Sequence, residues 1–332
     1  MSARVRNFFF FVGIACVVVM IVSFDLSLAA ITENIVRAGR WFFVACALWM
    51  LIYTINAFSW YTIIHDGAST GRIAFWRVWK YTVTGFALNT VTPVGLMGSE
   101  PYRIMELRPY VGIERATSST LLYVMMHIFS HFWYWLIAVA IYVVSYFQEI
   151  TLGYALLLAT TTLVCSAGIY LFVRGYRSGF TFSALRLLAR FPFIGKWAAR
   201  FSLERRETLQ QIDRQISQLH SARCRTFYLS LACELLARIL SSYELVIFLY
   251  IFGVEATLAD GILMLGFTSL FANALFFLPM QMGAREGGFT MAAAGLAIGS
   301  GVGLSVGLLI RLREIVCTIV GLLLMKIGNT PR

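Results

Sequence analysis

From Phe8 onward the chain runs repeatedly through about 20 consecutive residues with hardly a charge, the length an α-helix needs to cross a ~30 Å hydrocarbon core. A backbone placed in hydrocarbon must satisfy its own hydrogen bonds, so such runs fold as helices that pack on one another. Composition agrees, with 59% hydrophobic and 13% charged residues, against about half and about a quarter in soluble proteins. This excludes a soluble enzyme and predicts an all-α, polytopic membrane helix bundle. Six spans are predicted: Phe8 to Phe24, Trp41 to Ile64, Ser118 to Phe147, Leu152 to Val173, Thr226 to Phe252 and Val302 to Met325. Arg4 and Arg6 precede the first, which reads as an uncleaved helix because it exceeds the apolar core of a signal peptide.

The net charge of +11 is concentrated between Arg174 and Arg225, where eleven Lys/Arg stand against three Asp/Glu. That is the basic loop expected on the cytoplasmic side, and it points to anionic lipid headgroups and away from nucleic acid. Within it, Leu209, Ile212, Ile216 and Leu219 give an amphipathic helix. Residues 200–222 would lie on the membrane or the bundle, or dock a cytoplasmic protein partner. The predicted organisation is a first membrane half (1–173), a basic cytoplasmic linker (174–225) and a second membrane half (226–332).

Two further apolar stretches, Val78 to Leu96 and Leu258 to Ile298, break the simple count, and each contains a proline. With both termini cytoplasmic, Arg72, Arg77, Lys80 and Lys326 fall inside, while Gln148, Glu149, Glu255 and Asp260 fall outside. The alternation holds only if each stretch returns to the face it came from. They are therefore expected to form re-entrant hairpins, near 78–100 and 258–298, entering from opposite faces. The two breaks share a pattern: Pro93 and Pro279 are each followed seven residues later by a glutamate, Glu100 and Glu286, with Gly95 or Gly283 between. Proline ends the incoming helix, glycine allows the turn, and the glutamate meets the free N–H groups of the outgoing one. Inverted pairs of broken helices are how many transporters build a midplane site.

The run Asn89-Thr90-Val91-Thr92-Pro93-Val94-Gly95 leading to Gly98-Ser99-Glu100-Pro101-Tyr102-Arg103 resembles the flippase-like proteins related to the transmembrane domain of lysylphosphatidylglycerol synthase. Pro279 through Glu286, with Arg311 in the closing helix, extends the resemblance over essentially the whole chain. The resemblance implies an integral protein of a bacterial or archaeal cytoplasmic membrane that handles a phospholipid or an isoprenoid-linked lipid. It implies no lysyl transfer by this chain alone, because no aminoacyl-transferase domain accompanies the spans. Where family members often carry an acidic-basic pair, this chain has Met126-His127, so no charge relay is carried over to that helix.

Charges inside a bilayer cost a few kcal/mol each, roughly +2.5 to +3.5 on insertion scales, so they face a cavity, pair or act. Asn89, Pro93, Gly95, Glu100, Arg103, Pro279, Gly283, Arg285, Glu286 and Arg311 are the candidate substrate-binding set, with Arg103, Arg285 and Arg311 engaging a lipid phosphate. The bland alternative is that the glutamates cap helices and neutralise the arginines. Glu234 and Arg238, four apart, are expected to form a salt bridge. Glu244, unaccompanied in the same span, is the better candidate for proton coupling, with Glu234 second. Arg313 and Glu314 fit a buried ion network. His127 and His131 share a face, yet with no third ligand no metal is expected. Gly295, Gly299, Gly303 and Gly307 indicate close helix packing, or a loop where Gly-Ser-Gly-Val-Gly falls. No HExxH, P-loop or dinucleotide fingerprint is present, and no cofactor is expected. The leading expectation is a lipid flippase or transporter. A membrane-embedded transferase or hydrolase using Glu100 and Glu286 as acid and base, or a non-catalytic accessory subunit, stays open.

Overall fold

The computed structural model describes residues 10, 11, 14, 36–66, 73–91, 98–178, 224–275, 281 and 283–327. Most of the first expected span, the amphipathic segment at 200–222, and Pro93, Gly95 and Pro279 lie outside the described residues. The described residues form α1 (Arg40–His65), α2 (Phe75–Val91), α3 (Glu100–Ser145), α4 (Leu152–Ser178), α5 (Cys224–Ile251), α6 (Leu258–Ala274), α7 (Ala284–Gly295) and α8 (Ser300–Leu324). A short 3-10 turn, Phe147–Glu149, joins α3 to α4, and there is no strand among them.

Of these helices, α1, α3 and the Leu152–Arg174 part of α4 are long and apolar enough to cross a membrane on length and composition alone. Helices α5 and α8 occupy expected spans and have the length, but Glu234, Arg238 and Glu244 interrupt the first and Arg311, Arg313 and Glu314 the second. The five expected spans that the described residues cover thus divide into apolar walls and charged helices that must face inward.

Residues 101–117, unassigned from sequence, continue α3 toward its N-terminus. The helix is 46 residues long and carries Pro109, and Gly112 at φ 78° breaks its path. Without a Cβ, glycine reaches that backbone angle at little cost. The break leaves a short first arm beginning at Glu100, paired with the 17-residue α2. At 1.5 Å per residue α2 is about 26 Å long, short of a ~30 Å core.

Packing repeats itself across the two halves. The α1–α2 contact has a counterpart in α5–α6, α2–α8 in α6–α3, α1–α3 in α5–α8, and α3–α5 in α1–α8, while α1 packs on α5. So α2 is placed as α6 is, and the two arms of α3 are placed as α7 and α8 are. Where α3 bends at Gly112, α7 and α8 are separated by a turn at 296–299. That turn holds Gly299 at φ 104°, so the glycine run is both a loop and a packing face. A methyl group added at Gly303 would overlap the Phe289 carbonyl oxygen of α7. Replacing Gly303 with Val is expected to cost about 1–3 kcal/mol through overpacking, read as a lower unfolding midpoint in detergent.

The two ends of the bundle are marked by contacts. Arg115 donates to the Ile63, Ile64 and Asp66 carbonyls at the end of α1, and Lys80 donates to the Ile327 carbonyl. The end of α1, the start of α2, the break in α3 and the end of α8 therefore lie together. At the other end Arg37 lies over the Phe252 ring at 4.7 Å, and Tyr146 packs in one cluster with Ile262. Helices α2 and α6 start from opposite ends of the bundle.

Candidate functional site

Where the inner ends of the two broken segments meet there is a cavity of about 340 Å³. Asn89 and Thr90 at the end of α2, Glu100 and Arg103 at the start of α3, Asn273 at the end of α6, and Gln281 and Arg285 before and in α7 all line it. Both segments are closed by side chains that satisfy backbone donors. The Ser99 N–H donates to the Asn89 side-chain oxygen at 2.9 Å, and the Gly283 N–H donates to Glu286 Oε2 at 3.1 Å. At the far end of α6, Thr257 and Asp260 form a reciprocal cap.

The arginines of α7 and α8 are neutralised. Arg311 Nε and Nη2 donate to Glu286 Oε1 at 3.0 and 2.8 Å, and Nη1 donates to Glu314 Oε2 at 3.3 Å. Arg285 also donates to Glu314. Arg313 holds Glu244 through two parallel bonds of 2.7 and 2.9 Å, with its guanidinium 3.9 Å from the Trp49 ring. Arg285, Arg311 and Arg313 are thus balanced by Glu244, Glu286 and Glu314. Glu286 both caps α7 and pairs with Arg311, as the bland reading expected. Glu244, expected to stand alone, is instead held by Arg313 from α8, a partner that its own helix gives no hint of.

The first-half arginine is in a different state. Arg103 is 2% exposed and has no carboxylate within 4.0 Å among the described residues. Aromatic rings surround it, with Tyr123, Trp60 and Phe86 at 4.9, 5.5 and 5.6 Å from the guanidinium carbon. Ring faces partly replace the hydration of a cation.

The expected Glu234–Arg238 bridge does not form. Arg238 reaches across to α3, where Nε donates to Ser130 Oγ at 2.8 Å and Nη2 to the His127 carbonyl at 2.6 Å. Glu234, 1% exposed, meets His127 Nδ1 at 2.8 Å through Oε2. Crossing to the neighbouring helix gives each group a strong partner, which outweighs the local i,i+4 geometry. The Met126-His127 helix does carry a polar pair after all, its acid supplied by α5.

Of the candidate set, Asn89, Glu100, Arg103, Arg285 and Arg311 line one cavity together with Glu234 and Glu244, while Gly283 and Glu286 stand just behind. Trp49, Tyr53, Asn56, Tyr123, Thr268 and Ser269 also line it and were not foreseen. Asn56, buried midway along apolar α1, was the visible signal, since a buried amide in a membrane needs a polar neighbour. The aromatic residues gave none, being ordinary in a span.

No curated protein and no solved structure matches the chain. The family model described as the lysylphosphatidylglycerol synthase TM region matches residues 10–321. With nearly the whole length covered and helices apolar enough to cross a bilayer, the chain is an integral membrane protein that belongs to the lysylphosphatidylglycerol synthase TM-region family.

Proposed function

We propose that this protein carries the polar headgroup of a phospholipid or an isoprenoid-linked lipid across a bacterial or archaeal cytoplasmic membrane, through the cavity between two re-entrant hairpins. One observation carries the reading: two short broken segments that start from opposite ends of the bundle bring their charged inner ends to a single cavity. Charged groups at membrane depth are expensive to keep, and a site shared by two equivalent segments is what alternating exposure requires. Arg103 takes the headgroup phosphate in the state described here. Arg285 and Arg311 join when the headgroup displaces Glu314 or Glu286. The His127–Glu234 pair is the place where a proton would couple to that exchange. Both termini are cytoplasmic, and the basic stretch at 200–222 holds the inner leaflet or a cytoplasmic partner.

The test is reconstitution into vesicles carrying a headgroup-labelled phospholipid, with an impermeant quencher reporting how fast the inner-leaflet label becomes accessible. Protein-containing vesicles are expected to lose nearly all fluorescence, where empty vesicles lose about half. Loss of only the outer half in both would refute translocation.

A further inference from the structure

Resting on the lipid-translocation reading, the unpaired groups of the cavity narrow the headgroup. Five arginines line it, Arg103, Arg238, Arg285, Arg311 and Arg313, with four glutamates, Glu100, Glu234, Glu244 and Glu314. Glu286, bonded to Arg311, brings the formal charge of the group to zero. A pocket for a multiply charged phosphate would keep a surplus of cations. Arg285, Arg311 and Arg313 are satisfied by Glu244, Glu286 and Glu314. What remains faces the cavity from α3 and α5: Arg103 Nε has no hydrogen-bond partner, and Arg238 is bonded to neutral oxygens. Glu234 Oε1 and Glu100 Oε2 likewise have no hydrogen-bond partner, nor has Asn56 Oδ1. Arg103, with no carboxylate beside it, and the second oxygen of Glu234, which His127 leaves free, are both nearly inaccessible and costly to keep without a partner. A ligand relieves both only by presenting an anion to one and a donor to the other.

We infer that the cavity selects a headgroup in which one phosphodiester anion, held by Arg103 and Arg238, is joined to a hydrogen-bond donor, an ammonium or a hydroxyl, held by Glu234 and Glu100. A phosphomonoester would add a second negative charge beside two carboxylates. A phosphodiester with no donor would satisfy the arginines and leave Glu234 Oε1 and Glu100 Oε2 without a partner. Gly85 sets the place of the cation. A methyl group there would overlap Arg103 Nε, so Gly85 is a positioning residue, and Gly85→Ala moves the guanidinium without removing its charge.

Native mass spectrometry of the purified full chain in detergent, titrated with dioctanoyl lipids, tests this. The probes are phosphatidylethanolamine, phosphatidylglycerol, phosphatidylmethanol and phosphatidic acid. The first two are expected to bind at least about tenfold tighter than the last two, about 1.4 kcal/mol. Glu234→Gln keeps an acceptor but loses the charge. It should abolish the ethanolamine preference and leave the glycerol lipid within about threefold, which separates an ammonium from a hydroxyl as the donor. Arg103→Gln and Gly85→Ala should weaken all phosphodiester lipids together, and both must elute as the native protein does. Equal binding of phosphatidylmethanol, or an unchanged order in Glu234→Gln, overturns the inference. Translocation without headgroup preference overturns it alone. The expected binding order without translocation upholds it and overturns the transport reading.

Discussion

Arg103→Gln is expected to slow lipid translocation about a hundredfold, the loss of roughly 3 kcal/mol from a charge-assisted contact with phosphate, while leaving the fold as stable as before. The second half of that expectation follows from what the guanidinium lacks. No carboxylate among the described residues stands within 4.0 Å to be orphaned when the charge goes. Removing an uncompensated buried charge relieves a cost. Translocation is read in reconstituted vesicles and stability as the unfolding midpoint in detergent. Arg103→Lys keeps the charge but gives up the planar face set among Trp60, Phe86 and Tyr123, so part of the rate should return. An unaffected rate in Arg103→Gln would remove Arg103 from the site.

Arg313→Gln is expected to do the reverse, with stability falling first. Its two bonds to Glu244 join α8 to α5 in the interior, where both side chains are buried. Taking away one partner leaves the other charged and enclosed, which costs about 3–5 kcal/mol. In a chain of this size that lowers the unfolding midpoint by roughly 10 °C. Glu244→Gln should destabilise by a similar amount, because Arg313 then keeps only its 4.0 Å approach to Glu314. The double variant, with both charges gone, should recover most of the loss. Recovery distinguishes an ion pair from packing, since simple packing losses would add. Single variants as stable as the parent would show that the pair is not closed in the membrane.

The helices were legible because hydrocarbon sets their length. Trp41 to Ile64 became Arg40–His65 and Thr226 to Phe252 became Cys224–Ile251. The first arm of α3 was legible only at its start, where Glu100 was expected to open the outgoing helix. Arg103, Glu106, Arg108, Glu114 and Arg115, with Pro109 and Gly112, kept 101–117 out of the expected spans. Yet Arg103 and Glu106 are buried and the helix runs through, bent at one glycine. The charged candidates could be chosen from their depth in the spans, but their partners could not. Glu244 and Arg313 are 69 residues apart, and His127 and Glu234 are 107 apart. Local spacing offered Arg238 to Glu234 instead. Such pairings belong to the packing of helices far apart in sequence, which one helix does not encode.

The proposed meeting of the two broken segments inside the membrane is tested most directly by cysteine chemistry in sealed, oriented vesicles, with the native cysteines replaced. Glu114→Cys and Glu255→Cys mark the two faces, and Thr90→Cys and Gln281→Cys mark the inner ends. The account predicts that each face marker reacts with an impermeant maleimide from its own side only. Thr90→Cys and Gln281→Cys should react more slowly than either marker, and a short bifunctional maleimide should join them. If Thr90→Cys reacts at marker rate from the Glu255 face, Gln281→Cys does so from the Glu114 face, and the two never cross-link, the segments cross the membrane outright and the shared cavity does not exist there.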